Sequence, residues 1–261
     1  MAMHSDDDYM VTEEASVGYQ KRTLIDHVNL HVKKGEILTL IGPNGVGKST
    51  ILKSIIRQLS LIAGTVSIDG KELSSYAPKE LAKKMAIVMT ERIHPERYTC
   101  YDVVATGRYP YTGKMGMLQK EDEEKINQAI TYMELDEFRN RFIDELSGGQ
   151  RQRAYIAMVI AQDTEFVLLD EPTNNLDIYH ATNLMKIVRR LCDELDKTVI
   201  MGLHEINYAA FYSDYICAFK EGRIAKYGTV EEVITKEVLS EIYQVDFEIL
   251  NIQGKPLSIY Y

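Results

Sequence analysis

The sequence predicts an α/β fold with a mostly parallel sheet, an antiparallel β part on its N-terminal side and a helical insertion. Three observations predict it. Apolar runs of strand length alternate with stretches of helical periodicity. One of those strands, residues 36–41, runs straight into a glycine-rich loop that opens a helix. Between about residues 91 and 148 the character changes, first to a stretch where Pro, Gly and Tyr cluster and then to a charge-rich helix. The 261 residues are expected to form a single domain, 1–261, with that helical subdomain inserted in the α/β core.

The elements follow in order. From Tyr9 to about Ile41 the pattern is strand-like: Val28, Leu30 and Val32 alternate with polar residues, and Lys33-Lys34-Gly35 makes a turn. Ile51, Leu52, Ile55, Ile56 and Leu59 recur at helical spacing and predict a helix over 48–59. Residues 64–70 read as a short strand ending in an Asp-Gly turn, 78–84 as a helix and 85–89 as a strand. Inside the insertion a helix covers 121–132. The core resumes with a helix over 149–162, a strand over 166–169, a helix over 179–195 and a strand over 198–203. Residues 216–227 read as a hairpin turning at Glu221-Gly222, and Thr229 with Glu232 three residues on is a capping box that opens a final helix.

Composition narrows the function classes. The net charge of −9 gives no electrostatic reason to bind nucleic acid or an anionic bilayer directly. Asp6, Asp7 and Asp8 read as a solvated tail. Cys100, Cys192 and Cys217 are sparse, odd in number and without metal-type spacing, which points to a reducing compartment. No basic segment precedes an apolar core at the N-terminus, and no apolar run approaches the roughly 20 residues that span a bilayer. The expected location is cytoplasmic, with membrane attachment only through a partner.

Three local patterns carry chemistry. Gly42-Pro43-Asn44-Gly45-Val46-Gly47-Lys48-Ser49-Thr50 fits G-x-x-x-x-G-K-[ST] between a strand and a helix. Glycines let the backbone curl so that successive N–H groups face phosphate oxygens, and the helix N-terminus adds positive potential. Lys48 supplies charge to the β- and γ-phosphates, and the Ser49 hydroxyl is a ligand for Mg²⁺. The apolar run 166–169 ends in Asp170, at the carboxyl end of a buried strand, followed by Glu171. The first acid can hold Mg²⁺ and the second can accept a proton from water. Ser147-Gly148-Gly149-Gln150 opens a helix with an N-cap serine and bare glycine N–H groups, a second anion cradle. By itself it is only a Gly-Gly turn.

Taken together, these patterns resemble an ATP-binding-cassette nucleotide-binding subunit along essentially the whole chain, with a P-loop NTPase core. Walker A is 42–50, the signature 146–150, Walker B 166–171, the D-loop Asn175-Leu176-Asp177, and the switch histidine His204. The resemblance implies ATP hydrolysis with Mg²⁺ as cofactor in a head-to-tail dimer, a homodimer or paired cassette. Each ATP is then held by Walker A of one subunit and by Ser147, Gly148, Gly149 and Gln150 of the other. By the same resemblance Glu171 is the general base, His204 contacts the γ-phosphate and Tyr19 stacks on adenine. For Tyr19 the alternative is a plain strand-edge tyrosine.

One position departs from the pattern. Where the family ends the strand over 85–89 with a glutamine that touches Mg²⁺, this chain has Thr90, with Glu91 as the alternative occupant. A threonine hydroxyl is shorter and reaches a metal only through water, so weaker coupling of Mg²⁺ to that loop is expected. Asp102 to Pro110, and Leu176 to His180, are similar to the equivalent segments of importers for ferric siderophores, haem and cobalamin. Ferric siderophore heads that list. The group implies a multi-spanning membrane permease, an extracytoplasmic substrate-binding protein acting indirectly, and a peripheral position on the cytoplasmic face of the membrane. Tyr98, Tyr101, Tyr109 and Tyr111 suit a permease-docking surface or, equally, a local aromatic cluster. The rival is a soluble non-transport cassette ATPase. Heptads and basic patches, which DNA-maintenance cassettes need, are not in the sequence.

Overall fold

In the computed structural model, which describes residues 8–19, 22–89, 97–113 and 116–261, the chain divides into two units. The first comprises Met1–Tyr76 and Met185–Tyr261, the second Ala77–Leu184.

The first unit opens with β1 (Asp8–Tyr19), β2 (Arg22–Lys33) and β3 (Ile37–Ile41), then helix α1 (Lys48–Ile55), β4 (Ala63–Ile68) and the short β5 (Lys71–Glu72). Strands β2, β1, β4 and β5 form an antiparallel sheet in that order. The expected alternation holds: Val28, Leu30 and Val32 are buried while Asn29 is exposed. Register shifts break the β1–β2 ladder between Thr12 and Ala15. There the Thr12 hydroxyl donates to Val28 O at 2.9 Å and accepts from Leu30 N at 2.9 Å, so a side chain fills the gap in the backbone ladder. Helix α1 stops at Ile55, short of the expected Leu59. Arg57 takes a left-handed conformation (φ +62°), which no helix continues, and its guanidinium donates to Tyr76 O at 2.6 Å.

The second unit contains α2 (Pro78–Lys84), β6 (Met85–Val88), α3 (Cys100–Thr106), α4 (Lys120–Tyr132), α5 (Gly148–Gln162), β7 (Phe166–Asp170) and the start of α6 (Ile178–Leu195). Strands β6 and β7 run parallel, and α5 packs on α3 and α4. Helix α3 did not stand out in the sequence. It is short and set by its ends, where Thr99 N donates to Asp102 Oδ2 at 2.8 Å and Asp102 N to Thr99 Oγ1 at 3.2 Å.

The chain then returns to the first unit with β8 (Thr198–Gly202), α7 (Ile206–Tyr212), β9 (Tyr215–Lys220), β10 (Arg223–Thr229), α8 (Val230–Val233), α9 (Lys236–Tyr243), β11 (Phe247–Ile252) and β12 (Lys255–Tyr260). Strand β3 is parallel to both β8 and β9, and β10 closes antiparallel on β9. Glu221 and Gly222 both have positive φ (+49° and +75°), the requirement of a two-residue type I′ hairpin turn. The capping box forms, with Thr229 N donating to Glu232 Oε2 at 2.8 Å, but the helix it opens has four residues and is not the last. Thr235 caps α9 through Val238 N at 3.3 Å, and β11 and β12 form a terminal hairpin. Its apolar residues are partly exposed, so the alternation that marks a strand is weak there. All three cysteines are free and buried, and burial raises the Cys100 thiol to about 11 and the Cys192 thiol to about 12.

One buried ion pair ties the helices of the second unit. Arg108 Nε donates to Asp122 Oδ1 at 2.8 Å and Arg108 Nη1 to Ala161 O at 2.8 Å, at the ends of α3, α4 and α5. Burial pushes the Asp122 carboxyl up, but the Gln119 N–H and the Arg108 guanidinium outweigh it and hold it below the usual carboxylate range. Removing one member of such a pair leaves the other charge buried and alone, at a cost of about 3–5 kcal/mol. Asp122→Ala is therefore expected to destabilise residues 77–184 by that order, read from a chemical denaturation midpoint. A shift below 1 kcal/mol on the same scale would show that the pair is not a structural tie.

Candidate functional site

Strand β3 is five apolar or hydroxyl residues long and buried throughout. Its hydrogen-bonded neighbours on both sides fix where it ends, and the phosphate loop begins at the next residue. Gly42 sits at φ +143°, and a Cβ there would lie 2.6 Å from Phe219 O, so only glycine fits between the loop and β9. Lys48 is buried, with Nζ donating to Gly42 O at 2.7 Å and to Pro43 O at 3.4 Å. The lysine thus draws its own loop into a ring. No side chain caps the N-terminus of α1, which leaves the first-turn N–H groups directed out of the helix. Asn44 and Gly45 are exposed, Val46 and Ser49 are half-buried and Thr50 is buried.

The same unit carries His204 and Tyr19. Leu203 N donates to Leu40 O at 3.1 Å, so β8 leaves the sheet at the same carboxyl edge as β3. His204, the next residue, is exposed at that edge, where α/β sheets take their ligands. Tyr19 ends β1 and is 45 % exposed.

In the second unit β7 is buried along its length and ends at Asp170, itself buried. Glu171 then adopts φ +48°. A left-handed conformation in a residue with a side chain costs roughly 1–2 kcal/mol. It breaks the strand, and the neighbouring acids part company: Asp170 stays buried, Glu171 is partly open. Asn174 holds the bend, its N–H donating to Glu171 O at 3.1 Å and its Nδ2 to Glu171 Oε2 at 3.4 Å. The pattern of the sequence did not mark Asn174.

Ser147 caps α5 as expected, accepting from Gln150 N at 3.3 Å, and Gln150 returns the bond by accepting from Ser147 N at 3.0 Å. Ser147 and Gly148 are exposed while Gly149 is buried. Asp177 caps α6, accepting from His180 N at 2.8 Å, and its carboxylate also meets His180 Nδ1 at 2.8 and 2.9 Å. The His180 backbone N–H, then its ring, hold the Asp177 carboxyl below the usual range. Asp-x-x-His at a helix start is the signal by which the sequence could have singled out His180. Thr90 lies outside the described residues, as do Glu91, Asp6 and Asp7; Asp8, expected in a solvated tail, instead opens β1 with its carboxylate 3.0 Å from His31 Nδ1.

The tyrosines divide. Tyr109 (61 % exposed) and Tyr98 are on the surface. Tyr101 donates to Glu123 at 2.7 Å and lies under Arg139, and Tyr111 is covered by Arg108, so both belong to local packing.

Residues 25–174 match the family model for ABC transporters. The chain is 45 % identical over 243 residues to a petrobactin import ATP-binding protein of Bacillus subtilis, covering 93 % of this chain and 96 % of that one. It is 40 % identical over 252 residues to an iron(3+)-hydroxamate import ATP-binding protein of the same organism, covering 96 % and 94 %. Among solved structures it is similar to MJ0796, a bacterial ABC transporter cassette determined as a dimer, with a TM-score of 0.73, 27 % identity and coverage of 85 % and 98 %.

Gly42→Ala tests the loop. The strained backbone and the 2.6 Å approach to Phe219 O force the loop to shift. Strain of about 1–3 kcal/mol carried into the nucleotide-binding state weakens affinity on the order of tenfold or more. Titration with a fluorescent ATP analogue is expected to show that loss, and an unchanged affinity would mean the loop accommodates the methyl group.

Proposed function

The chain belongs to the ABC transporter family as an ATP-binding, ATP-hydrolysing subunit, and on that premise we propose that it powers import of a ferric siderophore through a membrane permease. The observation that carries this is similarity over more than nine-tenths of the chain to two import subunits whose names specify petrobactin and iron(3+)-hydroxamate. Haem and cobalamin are the next candidates.

The roles are those that the matching motifs imply, and the geometry within each unit supports them. Backbone N–H groups of Gly45 to Ser49 and the Lys48 ammonium take the β- and γ-phosphates, and Tyr19 offers an exposed ring for adenine. Ser49 and Asp170 are hard oxygen donors, the kind that holds Mg²⁺ one or two at a time while phosphates and water complete the shell. Mg²⁺ held by such donors would neutralise charge on the nucleotide's phosphate oxygens. Glu171 accepts the proton from water as its oxygen bonds to the γ-phosphorus and the bond to the bridging oxygen breaks, giving ADP and phosphate. Asn174 orients that carboxylate. His204 contacts the γ-phosphate from the same sheet edge as the loop.

A phosphate loop and a capped glycine helix start in one chain fit a head-to-tail pair, in which Ser147 to Gln150 act on the nucleotide bound by the partner. The dimeric cassette among the similar structures supports that arrangement. Among the described residues no helix is long and apolar enough to cross a membrane. In this reading attachment at the cytoplasmic face runs through the permease, for which exposed Tyr98 and Tyr109 are suitable contacts. An extracytoplasmic binding protein would deliver the chelate.

Two variants are expected to separate binding from hydrolysis. Glu171→Gln retains ATP binding and lowers turnover on the order of a hundredfold or more. Ser147→Arg, at an exposed position, keeps the fold and ATP binding but removes hydrolysis. Full activity in Ser147→Arg would refute the paired mechanism. Affinity purification from detergent-solubilised membranes, with mass spectrometry of the bound proteins, is expected to recover a many-spanning permease. Recovery of soluble proteins alone would leave a soluble cassette ATPase.

A further inference from the structure

In the second unit one imidazole touches two segments, the Asn175–Asp177 loop and the turn that opens α5. His180 is clamped from one side by Asp177, which accepts from its backbone N–H at 2.8 Å and meets Nδ1 through both carboxylate oxygens. A carboxylate only accepts, so Nδ1 carries the proton and the ring has one orientation. The other side of the ring lies on Gly149. A Cβ at residue 149 would be 2.1 Å from His180 Cδ2 and 2.8 Å from Cγ and Nε2. A side chain at residue 149 would displace the imidazole, so the glycine has a reason within its own subunit. Tyr179 meets the ring edge-on at 5.3 Å between centroids.

We propose that His180 is a positioning residue that locks the D-loop carboxylate of Asp177 to the signature glycine Gly149, so that both segments present themselves to the partner's nucleotide as one body. The proposal rests on the reading that Ser147 to Gln150 act across a head-to-tail pair. Asp177 is at an exposed helix start, where a lone carboxylate samples several rotamers. Its three contacts to His180 remove that freedom. The flat ring on Gly149 transmits the same constraint to the first turn of α5, where the N–H groups are to meet phosphate. A misplacement of about 1 Å in such a constellation costs up to a hundredfold in rate.

The test uses the full chain and two variants that each keep half of the tie. His180→Asn retains an N–H donor near the Nδ1 position but no ring over Gly149. His180→Phe retains a ring and the backbone N–H bond but no side-chain donor to Asp177. Both are expected to lower kcat for ATP hydrolysis on the order of tenfold or more. KM for ATP and the thermal midpoint should stay near wild type, because the phosphate loop is untouched. In a double-mutant cycle, His180→Phe added to Asp177→Ala should cost little beyond Asp177→Ala alone. Wild-type kcat in either single variant, or multiplicative losses in the cycle, would overturn the proposal. Ser147→Arg serves as the reference. If it is inactive while both His180 variants are normal, only the positioning role fails. If it hydrolyses ATP normally, the paired reading fails and the proposal with it.

Discussion

Parallel pairing on both edges of β3 is the constraint on which the glycine-rich loop depends. With β8 on one side and β9 on the other, this five-residue strand is paired along both edges, and Asp214 takes the Ile37 N–H at its start. Sliding it by one residue would break the register with both neighbours at once. The loop that follows therefore starts from a fixed point. Gly42 passes close against Phe219 O, and Lys48 closes the ring from inside. Leu203 N on Leu40 O then sets His204 at the same edge, so two widely separated pieces of sequence are placed by one ladder.

In the second unit, capping places the chemistry. Strand β7 delivers Asp170 in the same way that β3 delivers its loop. Beyond it the positions are set by short polar contacts: Asn174 on Glu171, Gln150 on Ser147, His180 on Asp177. Each joins residues three apart at a bend or a helix start, where backbone groups have no helical partner. Arg108 and Asp122 anchor the helices behind them, and the pair leaves Tyr109 facing outward next to a residue that is wholly inside.

Much of this was legible in the sequence because it is local. A buried strand meeting a glycine loop, or an apolar run ending in an acid, is a contiguous pattern with one physical reading. The hairpin at Glu221-Gly222 was readable for the same reason, since Gly222 supplies a positive φ without strain. What escaped depends on distance or on ends. The extent of α1 is decided by Arg57, which reaches Tyr76 across the fold. Helices α3 and α9 are fixed at their starts by the caps Thr99 and Thr235. The terminal hairpin has partly exposed apolar residues and so lacks clear alternation. Among the tyrosines, only knowledge that Arg108 and Glu123 are near could separate Tyr111 and Tyr101 from the exposed pair. Gly149 was read as a phosphate contact, and its packing under His180 became visible only when α5 and α6 were seen together.

The three buried thiols have a practical consequence. Thiolates are the reactive form, and burial pushes all three pKa values far above neutrality. The native chain is thus nearly silent to maleimides and other thiol reagents. Cys100 lies in residues 77–184, and Cys192 and Cys217 lie in the other unit. Labelling followed by peptide mapping would therefore report which unit has opened. A cysteine placed on the exposed surface would take a probe without any need to remove the native three.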